Sequence, residues 1–129
     1  YAARAKIYQS QSPNAAIGKC LGRALSRRPS DNPATLPELV EMYHSNNGRC
    51  AVSNVQMTWG KGKHCPTSIS IDRIDSSRGY ELDNIRLVCY QVNLFKSEWS
   101  DAEMFIIAKA IVANLDKQQP VPGLLSLVG

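Results

Sequence analysis

Asp72 and Asn93 are the residues whose types and placement point to chemistry. Asp72 ends the alternating run Ser68-Ile69-Ser70-Ile71-Asp72, which has the period of a half-buried strand, and Ile85-Arg86-Leu87-Val88-Cys89 is a second β-rich run. Between them lies a loop marked by Asp75-Ser76-Ser77-Arg78-Gly79 and closed by Asp83-Asn84, and after them Tyr90 to Lys96 reads as a short helix carrying Asn93. Strand, loop, strand and helix in that order can bring a strand-end carboxylate beside a helix-borne amide oxygen. Two hard oxygen ligands of this kind leave positions on Mg²⁺ or Mn²⁺ for water and for a substrate phosphate oxygen.

The elements around this core are also legible. Ser12 and Pro13 are an N-cap and N1 pair, and Ala16, Ile17, Cys20, Leu21, Ala24 and Leu25 repeat at helical spacing, predicting a first helix that runs to about Arg27. Lys19, Arg23 and Arg27 fall four residues apart on another face of it, either a solvated face or a basic stripe along phosphates. Pro29 to Ala34 is a linker. Thr35 and Glu38 have capping-box spacing, opening a second helix that ends near Asn47-Gly48. Val55, Met57 and Trp59 alternate as in a short strand, and Gly60 to His64 is a basic loop. A second capping box, Ser100 with Glu103, opens a helix with a wide apolar face formed by Met104, Ile107, Ala108, Ile111 and Leu115, and Pro120 and Pro122 end regular structure. The expected organisation is a basic helical segment and linker over 1–34, a main domain over 35–116 and a tail over 117–129.

Composition sets wide bounds. The 129 residues carry a formal net charge of +4, enough hydrophobic residues for one modest core, and no apolar run near the ~20 residues of a membrane span. A sequence pI near 9.0 leans toward polyanionic partners. Cys20, Cys50, Cys65 and Cys89 are widely spaced with no Cys-x-x-Cys pair, which suits a reducing, cytoplasmic setting better than a disulfide framework.

The stretch SISIDRIDSSRGYELDNIRLVCYQVNLFKSEWSDAEMF resembles the HNH (ββα-metal) endonucleases, particularly phage-encoded and restriction-type members with a D-R-x-D, G-Y, N, C-x-x-x-N-x-x-K pattern. The preceding GRCAVSN and the helix after Ser100 extend the resemblance over most of Thr35 to Leu115, leaving the first helix outside it. The resemblance implies an α+β fold, a ββα-metal (HNH/His-Me finger) core with flanking α-helices. It also implies that Asp72 and Asn93 hold one divalent ion and that Asn84 pins the loop between the strands by hydrogen bonds to its backbone.

One residue departs from the pattern. Where the usual motif has a histidine that activates the attacking water, this sequence has Arg73, which stays protonated near neutral pH. Arg73 can bind phosphate bidentately and stabilise charge developing in a transition state, but cannot take the proton. Three candidates remain for the base, in this order: Tyr80 in the loop, whose ordinary pKa of ~10 would need lowering, then His64 and His44. Many members of the family also brace the fold with zinc on two Cys-x-x-Cys pairs; here Ser53 and Val92 stand at the partner positions of Cys50 and Cys89, so structural zinc is not expected. Lys96 and Arg86 near the presumed phosphate site, and Lys61, Lys63 and Arg78 on the adjoining loops, suggest backbone-directed DNA binding.

The resemblance therefore implies a divalent-metal-dependent DNA endonuclease of phage or bacterial origin that leaves 5'-phosphate and 3'-hydroxyl ends, and a symmetric homodimer would suit double-strand cutting. Two alternatives stand beside it. One is a DNA-binding ββα module that lost catalysis together with the histidine. The other is a phage accessory protein whose basic helix docks an acidic partner.

Overall fold

The computed structural model describes residues 12–60 and 65–118. Its elements are α1 (Pro13–Arg27), α2 (Leu36–Ser45), β1 (Ile69–Arg73), a short 3₁₀ turn (Leu82–Asn84), β2 (Ile85–Cys89), α3 (Tyr90–Lys96) and α4 (Asp101–Gln118). Local chemistry accounts for most of the boundaries. Ser12 caps α1 by accepting from the Ala15 amide, Thr35 and Glu38 close a capping box on α2, and Ser100 and Glu103 do the same for α4. Asn47 and Gly48, both at positive φ, turn the chain away from α2.

β1 and β2 form an antiparallel ladder in which Asp72 lies opposite Arg86. α1 packs on β1 and α2, α2 packs on β2, and α3 packs on both strands. Ile17 and Ala24 of α1, Leu39 and Tyr43 of α2, and Ile69, Ile71, Ile85, Leu87 and Val88 of the ladder share one core with Cys50 and Met57. The first helix is thus part of the same packed body as the ββα unit. Val55, Met57 and Trp59 do not lie in a regular strand as their alternation predicts; the segment makes only isolated bridges, Arg49 to Gln56 and Thr58 to Ser68. The turn at Ala51–Ser53 and the neighbouring Asn54 at positive φ leave too few consecutive residues in register for a ladder.

The β1 burial pattern departs from strict alternation, because Asp72 is buried alongside Ile69 and Ile71. Ser70 and Asp72 point to the opposite face from the isoleucines, and α3 covers that face. The other expectation that changes is α4. Its apolar face exists as the spacing predicts, but only Met104 is buried, and Ile107, Ile111 and Leu115 remain exposed. Among the described residues no helix is long and apolar enough to cross a membrane.

The loop from Ile74 to Gly79 is held by one side chain more than any other. The Asn84 amide accepts from the Asp75 N–H at 2.9 Å and donates to the carbonyls of Asp75 at 3.0 Å and Gly79 at 2.9 Å, while its own carbonyl accepts from the Ile74 N–H at 2.7 Å. Asn84 is 2% exposed, so removing its amide leaves the loop's backbone groups unpaired away from water. Asn84→Ala is expected to lower stability by about 3 kcal/mol in urea denaturation, whereas a substitution at exposed Leu82 should cost under about 0.5 kcal/mol.

Candidate functional site

β1 delivers Asp72 and Arg73 to the start of the pinned loop, and α3 sets Asn93 and Lys96 one turn apart against the same strand. The Asp72 carboxylate is surrounded by cations. Lys96 Nζ donates to both its oxygens at 3.2 and 3.1 Å, and Arg86 Nε donates to Oδ2 at 2.9 Å. Lys96 also donates to the carbonyls of Arg73 at 2.6 Å and Ile74 at 3.1 Å, and Arg86 reaches on to Asp101 in the first turn of α4. The result is a buried network of two carboxylates and two cations from β1, β2, α3 and α4. Hydrogen bonding from Arg86 holds the Asp101 carboxyl below its ordinary range. Burial opposes the charge on Arg86, but its bonds to Asp101 and the attraction of Asp72 outweigh that and raise its pKa.

This network corrects the expectation for two residues. Lys96 is 1% exposed and Arg86 spends its guanidinium on Asp72 and Asp101, so neither presents its charge to DNA. Both instead neutralise Asp72, because a carboxylate in this interior needs paired counter-charges.

Asn93 keeps a freer role. Its Nδ2 donates to Ser70 Oγ at 2.7 Å and to the Ile71 carbonyl at 3.0 Å, which uses both hydrogens and fixes the orientation of the amide. Its Oδ1 accepts no hydrogen bond among the described residues, and since no buried side-chain polar atom there lacks a partner, that oxygen faces open space. The cleft beside it has a volume of about 370 Å³ and is lined by Asp72, Arg73, Tyr80, Asn93 and Ser97, together with Arg27 and Arg28 of the α1 end. The oxygens that could hold a hard cation there are Asn93 Oδ1 and the remaining acceptor capacity of Asp72 Oδ1. Among the described residues no three His, Cys, Asp or Glu side chains cluster as a metal cage.

Arg73 divides its guanidinium between structure and cleft. Nη1 donates to the carbonyls of Ser76 at 2.7 Å and Arg78 at 3.0 Å, the group lies 5.4 Å from the centre of the Tyr80 ring, and Nη2 makes no bond among the described residues. Tyr80 is largely buried, and its hydroxyl, which has no partner among the described residues, belongs to the cleft wall. His44 sits exposed in the last turn of α2 with its ring edge-on to Tyr43, and it does not line the cleft. His64, Lys61 and Lys63 lie outside the described residues. Arg78 stays at the surface, where its Nη2 donates to both carboxylate oxygens of Asp83 at 2.8 and 2.9 Å.

α1 contributes more than its sequence suggests. Arg23 and Arg27 line a second hollow with Ser70, Tyr90 and Asn93, so the two hollows meet at Asn93 and Arg27. Lys19, on the same stripe, is exposed beyond these hollows. Arg28, which no sequence pattern singled out, donates to the Ser77 carbonyl at 3.0 Å and joins the cleft wall. Asp101 was equally silent, because nothing in a helix N-terminus announces which distant cation it will meet. Cys50 and Cys89 are buried free thiols in hydrogen-bonding contact. The neighbouring Cys89 thiol pushes Cys50 down, while Cys89 is pushed up by that contact and by burial.

No family model matches the chain, and no curated protein is similar to it. Among solved structures, one described as the rare-cutting HNH restriction endonuclease PacI is similar, with a TM-score of 0.60 at 23% identity over 84% of this chain and 82% of that chain. At that identity the likeness is one of fold: the chain has the α+β, HNH-type ββα architecture.

Asp101 gives this network a pH signature. Its pKa is lowered in the folded state, so its contribution is complete above the ordinary carboxylate value of ~3.9 and is lost as pH falls through the depressed value. Wild type is expected to exceed Asp101→Asn in stability by about 1 kcal/mol at neutral pH, a figure discounted for partial exposure. Chemical denaturation should show the gap closing as pH falls below about 4.

Proposed function

We propose that this protein is a metal-dependent nuclease acting on DNA phosphodiester bonds, with Asp72 and Asn93 holding one Mg²⁺ or Mn²⁺ ion. The observation that carries the reading is the cleft in which the open amide oxygen of Asn93, the Asp72 carboxylate, the free edge of Arg73 and the Tyr80 hydroxyl converge. The likeness of fold to PacI, an HNH restriction endonuclease, supports the same class of chemistry. The donor set fits a hard cation that binds chiefly together with its substrate. It comprises two protein oxygens, one already compensated by Lys96 and Arg86, with water and phosphate oxygen to complete the shell.

Such an ion would polarise the scissile phosphate and stabilise negative charge on the leaving 3' oxygen, giving 5'-phosphate and 3'-hydroxyl ends. The protein residues supply the rest. Arg73 Nη2 offers a charge-assisted donor to a non-bridging phosphate oxygen, and the bonds from Nη1 to the loop carbonyls keep it in place before substrate arrives. Arg23 and Arg27 on α1 line the adjoining hollow and can neutralise neighbouring phosphates along the same strand. Tyr80 is the base in this reading: it lines the cleft together with Asn93, and its ring packs against the guanidinium of Arg73.

The Asp72 surroundings also favour a second reading. A carboxylate already satisfied by two cations holds a further cation weakly, so a DNA-binding ββα module without catalysis is the alternative.

Asn93→Ala is the cleaner test of the metal site, because Asp72→Ala would strand the buried Lys96 charge and cost about 3–5 kcal/mol. Wild type is expected to nick or linearise supercoiled plasmid with Mg²⁺ or Mn²⁺ but not with excess chelator. Asn93→Ala should lose on the order of 100-fold in rate while retaining DNA binding. Undiminished cleavage by that variant would overturn the metal assignment, and salt-sensitive DNA binding with no cleavage under either metal would decide for the binding module.

Tyr80→Phe keeps the ring beneath Arg73 and removes only the hydroxyl. Its cleavage rate should fall by about 10²-fold or more. An unchanged rate would remove Tyr80 from the mechanism.

A further inference from the structure

α4 is an 18-residue helix attached to the body at its first turn, where Met104 is buried and Asp101 joins the ion network. At 1.5 Å per residue it is about 27 Å long. Past that turn its apolar side chains have nothing over them among the described residues: Phe105, Ile107, Ile111, Val112 and Leu115 are between 36% and 53% exposed. With a helical repeat of 3.6 residues these five fall with Met104 and Ala108 within less than half of the circumference, while Lys109 and Lys117 lie outside that arc. Phe95 and Trp99 continue the patch at its base, forming with Met104 and Ile107 a shallow, mainly apolar hollow edged by Glu103.

The size and pattern of the face identify what covers it. Taking about 200 Å² for a fully exposed large side chain, the exposed parts of these residues amount to about 700 Å², close to the ~800 Å² that each partner contributes to a stable interface. That exceeds the largest apolar patch of a typical monomer, about 300–600 Å². Met104, Ala108, Ile111 and Leu115 recur at alternating intervals of four and three residues, the spacing of a helix that packs along another helix of the same kind. Beyond the first turn, where Asp101 is held by Arg86, the arc carries no charged side chain, so it can meet itself across a two-fold axis without placing like charges together, and an isologous contact needs no complementary surface elsewhere. DNA is a poor occupant because the arc offers phosphates no cation.

We infer that α4 and the Phe95–Trp99 hollow form the contact surface between two copies of this chain. The surface lies apart from the cleft, and the inference does not depend on the chemistry assigned there.

Sedimentation analysis of the full chain at micromolar concentrations tests this. The expected species has twice the 14.2 kDa mass of one chain. Ile111→Glu, which places a carboxylate in the middle of the face, should raise the dissociation constant on the order of 100-fold and yield monomer with an unchanged circular dichroism spectrum. Ile106→Glu, on the opposite side of α4 and 66% exposed, should remain dimeric and controls for general damage to the helix. A wild-type chain that stays monomeric at every concentration would overturn the proposal, as would an Ile111→Glu protein that still dimerises. So would a monomer in which amide exchange shows the α4 face protected, since the chain itself would then cover it.

Discussion

A carboxylate buried in a small domain must find positive charge close by, and the position of Asp72 imposes that need on the whole of the ββα unit. Lys96 answers from α3, Arg86 from the facing position on β2, and Asp101 from the start of α4 balances the second cation. Two positive and two negative groups then occupy the junction of four elements with no net charge, each in a hydrogen bond. Removing one member leaves another charge uncompensated, so the network fixes the docking of α3 on the strands and the point at which α4 departs from the body. Apolar packing beneath the sheet supplies stability, but it would tolerate several placements of a short helix that the ion network does not.

The same arrangement determines which charged groups remain at the cleft. Lys96 and Arg86 are consumed in holding Asp72, so among the described residues the positive charge left lining the cleft belongs to Arg73 and to Arg27 and Arg28. Arg73 combines both tasks in one planar group, one nitrogen bonding the loop carbonyls and another edge left to the cleft. Asn93 shows the same economy, its amide hydrogens spent on β1 and its oxygen left open. Each of these side chains is thus fixed by one end and presented to the cleft by the other.

The sequence was informative wherever a feature depends on neighbours along the chain. The capping boxes at Thr35 and Ser100, the Ser12-Pro13 start of α1, the strand Ile85–Cys89 and the short helix after it all follow from local rules and appear within a residue or so of their expected places. Val55 to Trp59 did not, because a strand exists only if a partner lies in register, and here the turn at Ala51–Ser53 keeps the pairing to isolated bridges. The apolar face of α4 was legible as a face, but periodicity says only that a surface wants covering and is silent about which surface covers it.

By itself, then, the sequence determined the ββα order, the proximity of Asp72 to Asn93 and the replacement of the expected histidine by Arg73. Tertiary structure alone decided which charges face inward. A lysine or arginine reads the same in the chain whether it meets a phosphate or a buried carboxylate; Lys96 and Arg86 were drawn inward because Asp72 had to be neutralised, whereas Arg27 and Arg28 were left at the cleft by the packing of α1 on β1. Pairing energies of this sort depend on distances across the fold, and those exist only once the chain has closed on itself.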